Sequence, residues 1–182
     1  MSDSAPAITF ATREDVAAIL EIANWAAAHL SANFATQPER LEDWQRTWEQ
    51  TQAMYPWLVA KDGSEVVGFA KAGPHRPRGA YAWTAEVTVY LRPEWHGKGL
   101  GKALYARLIA LLRAQGYVTL LGGITSPNPA SERLHESFGF VRCALFHRMG
   151  WKFDRWWDVG YWELQLRADA PPPAIRPVAE VA

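Results

Sequence analysis

The chain has 182 residues and a mass of 20.4 kDa, about the size of one domain. Nineteen basic residues balance nineteen acidic ones and the pI is about 7.0, which argues against a dominant attraction to nucleic acid or anionic lipid. With 49% hydrophobic and 21% charged residues, the composition is globular rather than disordered.

Ala7–Ala11 (AITFA) reads as a short strand. Val16, Ile19, Leu20, Ala23, Ala27 and Leu30 then recur at helical spacing, with Thr12 as candidate N-cap and Asp15 three residues on. A loop follows over 31–38. Glu39–Ala53 is a second, polar helix with Leu41, Trp44 and Trp48 on one face. The apolar run 57–60 ends at Lys61-Asp62-Gly63, a hairpin signal, and Glu65–Ala72 is the return strand. Gly73–Gly79 (GPHRPRG) is a loop by its Gly and Pro content. Over Tyr81–Leu91 the chain alternates: Trp83, Ala85, Val87, Val89 and Leu91 share one face, Thr84, Glu86, Thr88 and Tyr90 the other. A Gly-rich turn leads into a helix with Leu100, Leu104, Leu108, Leu111 and Leu112 on one side, stopped by Gly116. Strand 117–121, helix 127–138, strand 141–148, an aromatic loop 150–158 and strand 159–166 complete a mixed α/β arrangement around one sheet. The domain is expected to span residues 1–167, followed by a Pro-rich tail over 168–182, extended and poorly packed.

The lone cysteine, Cys143, suits a reducing compartment. The polar start MSDSAPAITF and the short apolar run 108–112 resemble neither a leader nor a membrane span, so a cytoplasmic location is expected. The histidines at 29, 75, 96, 135 and 147 lack metal-ligand spacing, so no metal is expected.

The most informative stretch runs from Arg92 to Leu104, where a strand enters a three-glycine turn that opens a helix. Glycines let backbone approach a ligand closely, and the first-turn N–H groups of a helix have no intrahelical partner. With the helix dipole they suit a pyrophosphate. The competing reading is a plain turn with an N-cap. Neither a Walker loop nor a good dinucleotide fingerprint fits the spacing and chain position.

These residues resemble the GCN5-related N-acetyltransferases, whose acyl-CoA loop reads Arg/Gln-x-x-Gly-x-Gly/Ala; His96 to Gly101 follow it with His in first place. The stretch NPASERLHESFGF (128–140) is similar to the family's second CoA-side helix. Further stretches, YPWLVA (55–60), WTAEVTVY (83–90), RLHESFG (133–139) and WWDVGYW (156–162), resemble the phosphinothricin and methionine-sulfoximine acetyltransferase subgroup. The likeness covers roughly residues 7 to 166. It implies a GNAT-like acyl-CoA N-acyltransferase fold, acetyl-CoA as cosubstrate, a small amino-acid acceptor and a homodimer, without nucleic-acid or membrane partners.

Acetyl transfer to an amine needs a base for the amine, a donor for the oxyanion and a proton for the departing thiolate. Glu86 matches the subgroup's acid and is the expected base, directly or through a water; the competing reading is a carboxylate paired with a structural cation. The resemblance makes His135 either the thiolate acid or a residue that shapes the pocket. It assigns the backbone of Val89, Tyr90 and Leu91 to the pantetheine arm, with the Val89 N–H as oxyanion donor. The turn Gly97, Lys98, Gly99, Leu100, Gly101 and Lys102 would cradle the pyrophosphate, and Asn128 would bind the CoA arm; solvated surface positions are the alternative for the two lysines. Arg76 and Arg78 are candidates to grip an acceptor carboxylate, or are exposed loop residues. Phe34 and Thr88 complete the expected acceptor site. Trp25, Ala28, His29, Leu30 and Gln37 depart from subgroup relatives in the acceptor-facing region. A peptide N-terminus as acceptor, or a non-catalytic CoA sensor, are the rival functions.

Overall fold

A computed structural model describes residues 5–168 and 171–182. One seven-stranded sheet runs β1 (Ala7–Phe10), β2 (Trp57–Asp62), β3 (Glu65–Pro74), β4 (Thr84–Leu91), β5 (Thr119–Ser126), β7 (Arg155–Gln165), β6 (Val141–Lys152). Every neighbouring pair is antiparallel except β4 and β5.

Helix α1 (Asp15–His29) starts two residues later than a Thr12 cap would place it, with Glu14 as the N-cap residue; the Asp15 carboxylate accepts the Thr12 N–H at 3.0 Å and pairs with Lys61 at 2.7 Å. Helices α1 and α2 (Leu41–Thr51) cover one face of the sheet, where Ile19, Ile22 and Ala23 meet Trp57, Val59 and Phe69. Helix α3 (Leu100–Gln115) covers the other. Its leucine stripe is buried against Leu58, Ala70, Ala85 and Val87, and it stops at Gly116, whose φ of 103° suits a residue without Cβ. Period-2 alternation in β4 therefore sends Ala85 and Val87 to the α3 core and Tyr90 toward α1. Helix α4 (Pro129–Glu136) lies beside α3.

Two expectations are corrected. The aromatic stretch 150–158 is no loop but the end of a β6–β7 hairpin, turning at Phe153 and Asp154, both at positive φ (52° and 54°). Its turn lacks the Asn-Gly or Asp-Gly signal by which such hairpins are read, and Trp151 and Trp156 face each other across it. The C-terminal segment is extended but not poorly packed. The Trp83 indole N–H donates to the Pro173 carbonyl at 2.6 Å, Gln115 donates to the Met54 and Arg176 carbonyls at 2.8 Å each, and Val178 is buried. Apolar residues sparse among prolines are easily read as a free tail; here Ile175, Val178 and Val181 find the core.

Candidate active site

Strands β4 and β5 pair only from Thr84 to Glu86 against Thr119 to Leu121. Beyond that point β5 keeps β7 as its partner, while the edge of Val87–Leu91 that faces β5 has no strand beside it among the described residues. The strands part into a cleft with Val87, Thr88, Val89 and Tyr90 on one wall and Gly123, Ile124 and Thr125 on the other. An open strand edge offers backbone N–H and C=O groups to an extended polar ligand.

At the far end of β4 the chain makes a single 3₁₀ turn (Pro93–Trp95) and the glycine turn. His96 donates from Nε2 to the Leu91 carbonyl at 3.2 Å, fastening the turn to the strand. Gly97 and Gly99 have φ of 72° and 80°, a conformation that favours glycine, and Gly99 opens α3 with no side chain capping it. The N–H groups of Leu100, Gly101 and Lys102 thus lack intrahelical acceptors at the positive end of the helix dipole. The site fits the expected cosubstrate: a bare strand edge for an amide-bearing arm, and uncapped helical N–H groups for a diphosphate. Lys102 is exposed, and Lys98 rests its ammonium 4.9 Å over the Trp95 ring.

Glu86 is the last paired residue of β4, at the vertex of the cleft, with 45% of its side chain exposed. Its Oε1 lies 2.6 Å from Nδ1 of His75, a residue just beyond the end of β3. Glu86 thus has a histidine partner, and the partly buried Lys71 is near enough to interact with it electrostatically. Arg76 donates from Nε to His75 Nε2 at 3.3 Å, and Arg78 is exposed on the same loop. Thr88 follows Glu86 on the same face of β4, and Tyr90 donates its hydroxyl to the Ala32 carbonyl at 2.9 Å, tying down the loop between α1 and α2. Phe34, on that loop, is 36% exposed and packs on Gly150, where a Cβ would lie 2.5 Å from its ring. The loop has a second anchor in Lys152, whose ammonium donates to the carbonyls of Ala27, Leu30 and Asn33 at 2.5, 3.1 and 2.5 Å.

His135 is only 4% exposed. Its Nδ1 lies 2.8 Å from the Ser131 carbonyl, which can only accept, so Nδ1 carries a proton. Burial lowers its pKa and so favours the neutral ring, in which Nε2 accepts the Tyr105 hydroxyl at 3.0 Å. A neutral imidazole so engaged has no N–H to give into the cleft. This arrangement suits the pocket-shaping alternative for His135 better than the thiolate-acid one. Asn128 caps α4, its Oδ1 accepting from the Ser131 N–H at 3.1 Å, and it also lines the cleft.

Sequence reasoning missed His75, Tyr105 and Gly122. Tyr105 reads as one more core position of α3. Gly122 is explained only by the His135 ring against it. The one signal for His75 was its place beside Arg76 in a Pro-bounded loop leading to the Glu86 strand.

An open-edged strand followed by a glycine turn and helix defines an acyl-CoA-binding class of acetyltransferase. Residues 19–140 match the acetyltransferase (GNAT) family, and the chain belongs to it. It is 39% identical to a phosphinothricin N-acetyltransferase of Streptomyces viridochromogenes, over 94% of this chain and 93% of that one. It is 39% identical to the L-methionine sulfoximine/L-methionine sulfone acetyltransferase of Salmonella typhimurium, over 92% and 98% respectively. The structure of a Salmonella typhimurium acetyltransferase with its cofactor acetyl-CoA superimposes with a TM-score of 0.89 at 38% identity, covering 94% of this chain and 99% of that one. This chain is an acetyl-CoA-dependent N-acetyltransferase.

Proposed function

We propose that the enzyme acetylates the α-amino group of a small amino acid or analogue, of the kind phosphinothricin, methionine sulfoximine and methionine sulfone represent. The position of Glu86 carries this reading: a half-exposed carboxylate at the vertex where the strands separate. The names of two relatives, each similar over nearly the whole chain, support the acceptor class.

Bound acetyl-CoA supplies an acetyl group activated as a thioester. In this reading Val89, Tyr90 and Leu91 hold the pantetheine arm by backbone hydrogen bonds, Asn128 adds its amide N–H, and residues 97–102 hold the pyrophosphate. Glu86 takes the proton of the acceptor ammonium, directly or through one water, and the amine attacks the thioester carbonyl in a ternary complex; the C–S bond breaks as the amide forms, and CoA leaves as the thiol with the second proton shed by the nitrogen. The Val89 N–H steadies the carbonyl oxygen as it gains charge. Arg76 and Arg78 bind the acceptor carboxylate, with Thr88 and Phe34 against the rest of it. His135 holds Tyr105 as a wall of the pocket. The enzyme acts as a cytoplasmic homodimer; exposed Phe146, Met149, Trp151 and Trp156 on the β6–β7 hairpin support an apolar self-contact, which sedimentation velocity reads directly.

The test is thiol release from acetyl-CoA with those three acceptors, ordinary amino acids, a short peptide and a polyamine. Saturable release with one of the first three is expected. Glu86→Gln should then lower kcat by about 10²–10⁴ with acetyl-CoA affinity retained. Turnover of the peptide or polyamine alone would remove the acceptor class, and an unchanged rate in the variant would remove Glu86 as base.

A further inference from the structure

Glu86 does not stand alone at the vertex. The register of β3 on β4 pairs Gly73 with Glu86 and Pro74 with Ala85, so the residue after Pro74 emerges beside the carboxylate. That residue is His75, and its Nδ1 lies 2.6 Å from Glu86 Oε1. Its side chain is 16% exposed, and the ring packs edge-on to Tyr81 with centroids 5.4 Å apart. Pro74 and Pro77 bracket His75 and Arg76; proline fixes its own φ and restricts the residue before it, so this loop is stiffened where it meets the base.

The hydrogen bonds decide the tautomer. An arginine Nε can only donate, so His75 Nε2, 3.3 Å away, must accept from Arg76. In the neutral ring the proton then sits on Nδ1 and is donated to Glu86. Guanidinium, imidazole and carboxylate form a directed chain, Arg76 to His75 to Glu86, with each donor pointing toward the base. The bond occupies one carboxylate oxygen and fixes the plane of the group, which leaves the other oxygen for the acceptor ammonium.

We propose that His75 is a positioning residue for the base: as the Nδ1–H tautomer it holds the Glu86 carboxylate in one orientation, and it links that carboxylate to Arg76, the side chain read above as an acceptor-carboxylate clamp. This rests on Glu86 being the base. Acceptor binding at Arg76 and proton removal at Glu86 thereby share one rigid unit.

Two measurements test it. The first does not depend on any acceptor: ¹⁵N-detected imidazole correlations of the full chain, with His75 assigned by its loss in His75→Asn. The Nδ1–H tautomer is expected; an Nε2–H ring would overturn the proposal. The second is a double-mutant cycle with the acceptor that the panel identifies. His75→Phe keeps a ring against Tyr81 but removes the donor, and should lower kcat by about tenfold or more while leaving KM for acetyl-CoA unchanged. His75→Asn, which restores an N–H near the Nδ1 position, should recover most of that loss. In the Glu86→Gln background His75→Phe should have no further effect on kcat, because its route to proton removal is through Glu86, whereas any effect through Arg76 falls on the acceptor KM. An undiminished kcat in His75→Phe, equal defects in Phe and Asn, or a full additive loss in the double variant would each refute the positioning role. If Glu86→Gln itself is unimpaired, the reading of the base fails instead, and the tautomer measurement still judges the geometry.

Discussion

Gly122 gives the sharpest test of how the cleft is built. A Cβ at this position would lie 2.4 Å from Nε2 and 2.8 Å from Cδ2 of His135. Restoring an ordinary contact of 3.4 Å requires the ring to withdraw by about 1 Å. The ring has little room, since Nδ1 is tied to Ser131 and Phe140 packs edge-on with centroids 5.0 Å apart. Gly122→Ala should therefore break the bond from Tyr105 and leave two buried polar atoms unpaired. Overpacking costs about 1–3 kcal/mol, and an unsatisfied buried group about 1–3 kcal/mol more. Replacing Gly by Ala returns up to about 1 kcal/mol through the unfolded chain, so the net loss should be about 2–4 kcal/mol. At about 2–4 °C per kcal/mol for a chain of this size, thermal unfolding should begin roughly 5–15 °C lower. Acetyl-CoA binding, followed by calorimetry, should weaken as well, because Tyr105 and His135 line the cleft. The control is His135→Ala, in whose background Gly122→Ala has nothing to strike and should be close to neutral. A Gly122→Ala protein that melts within about 1 °C of the parent, or that loses as much stability without the imidazole as with it, would refute the reasoning.

The other expectations concern two buried polar side chains. Lys152, 7% exposed, satisfies three carbonyls at the end of α1 and in the loop that follows, so Lys152→Met should cost about 2–4 kcal/mol. It should speed hydrogen exchange over residues 30–38 and raise the acceptor KM more than that of acetyl-CoA; uniform exchange and an unchanged acceptor KM would contradict the anchor. For His135 the folded pKa lies below the ordinary 6.5, so the unfolded chain binds more protons in the window just below that value. Its contribution is whole above about pH 6.5 and is lost as pH falls through the folded pKa. The stability advantage of the parent over His135→Gln, read by urea unfolding, should shrink between pH 7.5 and pH 5.5. A constant difference would mean that the ring is not held neutral.

Much of the frame was legible because its signals are local. The alternation of β4 puts Ala85 and Val87 on the opposite face from Glu86, and pleat geometry enforces this whatever the strand's neighbours. The leucine stripe of α3, its stop at Gly116 and the glycine turn at its head likewise follow from helical period and backbone conformation. With the resemblance, these sufficed for the fold.

What the tertiary structure alone decided depends on residues far apart in the chain. Parallel pairing of β4 with β5 ends at Glu86, and no local pattern marks where two strands separate. The β3–β4 register brings His75 to Glu86; a shift of one residue would carry side chains to the other face. His135 reads as one more helical position until Tyr105, 30 residues away, and the bare Gly122 show it buried and hydrogen-bonded. The β6–β7 hairpin, the Lys152 anchor and the packed C-terminal segment went unread for the same reason. Their stabilising partners lie across the sheet or on the far side of a helix, where packing sets side-chain chemistry and sequence spacing carries no signal.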